Sequence, residues 1–146
     1  MNTVAPRATT SFITPSPLLR RALLADATLT SISGIGLVLA AAPLSILFGI
    51  PSAMLLAAAA IFIPFAAFVG WLGTGRRVHR PLVFAAIVLN ALWAVDSVLL
   101  LFTRWVQPTP FGEFFVVAQA VLVAVLAELE FIGLRRSTLL GSYAPL

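Results

Sequence analysis

Four apolar runs, at 20–42, 52–74, 81–103 and 111–134, are each interrupted only by short turn-like links. Each is close to the ~20 residues a helix needs to cross ~30 Å of hydrocarbon. The links are "FGIPSA" (48–53), "GTGRRVHRP" (73–81) and "TRWVQPTPFG" (103–112). Lipid admits only helices or closed barrels, because it offers no water to unpaired backbone groups. Barrel strands alternate in polarity over ~10 residues, and these runs do not. The expected fold is an all-α membrane protein, with four transmembrane helices in an up-down antiparallel bundle. Composition agrees: 10% of residues are charged and 61% hydrophobic, whereas soluble domains carry about 25% charge.

The arginines give an expected orientation. Four crossings put the N-terminus, the 74–80 link and the C-terminus on one side, together with Arg7, Arg20, Arg21, Arg76, Arg77, Arg80, Arg135 and Arg136. Arg104 alone falls on the other side. Basic residues accumulate in short cytoplasmic loops, so both termini are expected inside, in a bacterial inner membrane. The same bias accounts for the net charge of +4 without nucleic acid. The link holding His79 is expected to touch anionic lipid headgroups. Residues 1–17 are rich in Thr, Ser and Pro and read as a disordered or surface segment. Residues 18–136 form the membrane domain, and 137–146 a short cytoplasmic tail. Pro43, directly after the "AAA" of 40–42, disfavours signal cleavage there, so the first helix is expected to stay attached.

Polar residues within the apolar runs are the candidate site. Asn90, Trp93 and Ser97 share one face of the third helix, with Asp96 displaced to its side. Counted at 1.5 Å per residue, Asp96 lies roughly 8 Å from the outer edge and Gln119 roughly 12 Å. The two can pair. A charged carboxylate at that depth costs about 2.5–3.5 kcal/mol, so Asp96 must be protonated or face the bundle interior. Two readings are open: a proton or cation site formed with Asn90 and Gln119, or interhelical glue. Glue is favoured because the other acids look shallow. Asp26, Glu128 and Glu130 sit about 8–10 Å from the inner helix ends. There they are expected to form ion pairs with Arg20, Arg21, Arg76, Arg77, Arg135 and Arg136, with a cytoplasmic ion vestibule as the alternative. Glu113 suits the N-terminal dipole of the fourth helix.

Small residues suggest packing faces. Ala53, Ala57, Ala60, Pro64, Ala67 and Trp71 recur along one face of the second helix, Ala120, Ala124 and Ala127 on the fourth, and Thr30 with Gly34 on the first. Whether these faces meet their own helices or another protein is open. Pro64 is expected to kink the second helix. Trp71 and Trp105 read as interfacial anchors, whereas Trp93 is buried and more suited to donating to a polar neighbour. The absence of cysteine excludes thiolate sites, one histidine and two methionines leave little for a haem or copper site, and no metal or cofactor is expected. No phosphate-loop, nucleophile-elbow, zinc-helix or dinucleotide motif occurs. Enzymatic activity is not expected.

Asp26 and Asn90 occupy comparable places in the first helices of the two halves, and "GWLGTGRR" and "EFIGLRR" end them alike. A duplicated hairpin would produce this. The stretch "APLSILFGIPSAML" (42–55) and the four short-linked helices resemble small bacterial inner-membrane proteins of the DoxX-like type. That resemblance implies association with oxidoreductase or respiratory partners, and the redox groups would have to be the partner's. The expected role is therefore an accessory or structural subunit packing on other membrane proteins or on itself. The alternative is a small homo-oligomeric transporter or channel working through Asp96, Asn90 and Gln119. A single bundle of this size is expected to be too small for a private solute cavity.

Overall fold

The computed structural model describes residues 11–140. The expectations for 1–10 and 141–146 lie outside the described residues. Four long helices dominate: α1 (Pro17–Phe48), α2 (Ser52–Thr74), α3 (Arg80–Phe102) and α4 (Pro110–Arg135). All four are long and apolar enough to cross a membrane, which marks the chain as an all-α integral membrane protein. α2, α3 and α4 match their apolar runs to within a residue.

α1 departs from expectation at both ends. Ser16 caps it, accepting from the Leu19 amide at 3.2 Å, and Pro17 fills the first turn, where its missing N–H costs nothing. At the other end the helix continues through Pro43 to Phe48 and bends at Ala40, whose φ of −126° is not helical. A proline removes the hydrogen bond to the previous turn and crowds its carbonyl, so the bend falls three residues before Pro43. α2 runs from Ser52 to Thr74 with Pro64 inside it, on the outer surface. Gly49 ends α1 in the left-handed region at φ 67°. A side chain there would collide with the Gln107 carbonyl at 2.7 Å.

Three short strands were not foreseen. β1 (Phe12–Thr14) is central, paired antiparallel with β2 (Val78–His79) and β3 (Thr138–Leu139). Residues 12–14 are thus ordered, and the ring of Phe12 meets the imidazole of His79 edge-on at 5.1 Å. The sheet ties the start of α1, the α2–α3 link and the end of α4 together at the arginine-rich end.

The helices pack in the order α2–α1–α4–α3. α1 lies along both α2 and α4, and α4 lies along α3, whereas α2 and α3 barely touch. Lipid tails are as apolar as leucine, so helices associate in a bilayer through close packing rather than hydrophobic exclusion. Two apolar cores result. One, near the sheet, joins Ile13, Leu19, Leu23, Val69, Leu72 and Val83. The other, at the far end, joins Leu37, Phe48, Ile50, Leu55, Val106 and Val116. The polar residues of the spans lie between them.

Candidate functional site

The space between the two cores is a cavity of about 310 Å³, lined by all four helices. α1 contributes Asp26, Thr30 and Ser33, α3 contributes Asn90, Trp93 and Asp96, and α4 contributes Gln119. From α2 come only apolar groups, among them Phe62 and Phe65. The volume falls at the lower end of ordinary small-molecule pockets, roughly 300–1,000 Å³. The expectation that one chain is too small for a cavity is therefore corrected. The bundle makes room because α2 and α3 stand apart.

At the end nearer the sheet, Asp26 is 1% and Asn90 4% exposed. Asn90 Nδ2 donates to Asp26 Oδ2 at 2.8 Å, and Thr30 Oγ1 donates to Asp26 Oδ1 at 3.0 Å. Thr30 is one helical turn beyond Asp26, so its hydroxyl reaches the carboxyl along the same face. Asn90 reaches across from α3. Glu130 of α4, at 0% exposure, stands beside Asp26 and Asn90 just past the cavity floor. Neither of its carboxyl oxygens has a hydrogen-bond partner.

This overturns the expected arginine pairing for two of the three acids. Asp26 and Glu130 turn into the protein instead of toward the basic end. Arg20 gives its guanidinium to the Gly75 carbonyl at 3.0 Å. Arg21, Arg76, Arg77, Arg135 and Arg136 are exposed, as is Glu128. The physical reason is rotational: Asp26 lies on the flank of α1 that faces α3 and α4, whereas the arginines project outward. Position along a helix does not say which way a side chain points.

Toward the far end the cavity is framed by Trp93, Asp96 and Gln119. Gln119 accepts from Trp93 Nε1 at 3.2 Å rather than pairing with Asp96. Ser97 Oγ donates back to the Trp93 carbonyl at 2.7 Å. Phe62 of α2 meets the Trp93 indole edge-on at 4.8 Å. Asp96 lines the cavity but is an exposed residue, standing at its mouth. All four residues singled out on the third and fourth runs thus line one cavity, and Asp26 joins them. Glu130 was misplaced. The similar positions of Asp26 and Asn90 in their helices were the one signal in the sequence that the two could meet.

The small-residue faces divide. On α2, Ala53, Ala57, Ala60, Pro64, Ala67 and Trp71 are all exposed, and Leu55, Ala59, Ala66, Val69 and Leu72 turn inward instead. On α4, Ala120 and Ala127 are buried and Ala124 is exposed, while on α1 Gly34 is buried against Ile63.

No family model, curated protein or solved structure matches this chain.

Proposed function

We propose that the protein is a small transporter or channel-like carrier of the bacterial inner membrane, with Asp26, Asn90 and Asp96 as its proton or cation site. Its spans would form an up-down bundle with both termini in the cytoplasm, in keeping with the distribution of the arginines. The observation that carries this reading is the cavity, in which the intramembrane polar groups of three helices converge. Acids inside a membrane protein are costly and characteristically mark ion or proton routes. Glue alone would explain the Asp26–Asn90 bond. It does not account for a second acid, Glu130, buried beside Asp26 and Asn90, or for the cavity next to the bond.

The test is flux into proteoliposomes, followed with a pH-sensitive dye and with monovalent cations. Losing a buried charged partner costs enough that Asp26→Asn should lower flux at least about tenfold. A parent protein that passes neither protons nor cations would sink the reading.

An accessory role keeps one specific observation in its favour. The smooth strip from Ala53 to Trp71 faces away from the other helices, and such strips promote close helix contact in lipid. In that case mild-detergent purification would recover a stoichiometric membrane partner.

A further inference from the structure

The cavity is not sealed toward the bilayer. The backbones of α2 and α3 stay apart and meet through side chains, Phe62 against Trp93, and the lining residues beside that contact, Ile61, Leu89 and Leu92, are 56%, 50% and 53% exposed. In a membrane that gap meets acyl chains. Behind it the wall changes character: Phe62, Phe65 and Trp93 present aromatic rings, and Asp26 and Asp96 present carboxyls. Among the described residues no arginine or histidine lines the cavity. Glu130, wholly buried beside Asp26 and Asn90, adds a third acid just outside the lining. Aromatic faces and carboxylates share one preference, a positive charge.

Resting on the transport reading, we infer that the ligand is a lipophilic organic cation that enters sideways from the bilayer between α2 and α3. Its apolar body occupies the gap and its ammonium-like head sits among Asp26, Asp96 and the Trp93 ring. An inorganic ion fits the wall less well. Replacing its hydration shell takes several converging oxygens, and no group of three His, Cys, Asp or Glu among the described residues could hold a metal. An anion would meet two carboxyls and no cation.

The experiment uses the full chain in nanodiscs made with brominated phospholipid chains, carrying Trp71→Phe and Trp105→Phe so that Trp93 alone reports. Both removed indoles are outward-facing, at 63% and 82% exposure. Chains in the gap should quench Trp93. Benzyltrimethylammonium should displace them and restore fluorescence at a concentration about tenfold or more below that of neopentylbenzene, its neutral isostere. Asp96→Asn should erase that preference. Because Asp96 stands exposed at the mouth, the variant keeps the test usable even where Asp26→Asn fails to fold. Equal relief by both probes, no quenching at all, or a preference that survives Asp96→Asn would overturn the inference. Cation binding without flux would overturn the transport reading alone, and flux without cation preference the ligand class alone.

Discussion

The two seams that join the halves of the chain differ sharply. Along α1 and α4 the backbones touch. Gly133 lies so close under Leu19 that a side chain would meet its backbone nitrogen at 2.6 Å, and Gly112 lies directly against the Phe48 backbone. Hydroxyls close both ends. Ser16 and Ser137 each donate to the Gly133 carbonyl, at 2.7 and 2.9 Å, and Thr109 donates to the Leu47 carbonyl at 2.6 Å. Along α2 and α3 the described residues show no such backbone approach, and Phe62 meets Trp93 ring to ring at 4.8 Å instead. α2 offers Phe62 and Phe65, α3 offers Trp93, and these bulky rings hold the helices apart. In lipid, small residues decide which backbones approach. Glycine makes one seam a joint, and aromatic bulk makes the other a doorway. An exact duplication would have made the two alike.

The largest expected effect attacks the joint. Gly133→Leu must displace backbone rather than a flexible side-chain tip, so it should cost about 3 kcal/mol, the upper part of the usual overpacking range. Thermal unfolding in detergent, with Gly36→Ala as the control in open space, measures it. A loss no greater than the control's would mean that the seam is not tight. Next comes the acid beside it. Glu130→Met removes an unsatisfied buried carboxyl and should raise stability by about 2 kcal/mol while impairing flux. A drop in melting temperature would instead reveal a partner for that carboxyl. The smallest change concerns the doorway. Trp93→Phe keeps a ring against Phe62 but deletes the bond to Gln119, worth about 0.6 kcal/mol in a membrane interior. A melting shift as large as that of Gly133→Leu would mean that the α2–α3 side is braced as firmly as the joint.

Much of this architecture was written in the apolar runs. The spans of α2, α3 and α4 follow from length alone, because few polar residues interrupt them and short links bound them. The extension of α1 past Pro43 was harder to see, since proline ends a helix in water more decisively than among neighbouring helices that can satisfy the freed groups. The rotation of each helix was the true blind spot. Where nearly every face is apolar, periodicity does not say which side turns inward, so Glu130 is expected among the arginines and the alanine strip of α2 is left without an assigned inner or outer face. The membership of Asn90, Trp93, Asp96 and Gln119 in one neighbourhood was legible, because adjacent antiparallel helices align residues of equal depth. The strands were not, because Phe12–Thr14 becomes a strand only through partners more than sixty residues away.

That small sheet bears on how the protein is made. Its middle strand leaves the ribosome first, yet its second edge is completed only by Thr138–Leu139, after the last helix has been threaded. Until then Phe12–Thr14 keeps an unmated edge, so the sheet closes only once the last of the four helices has been made.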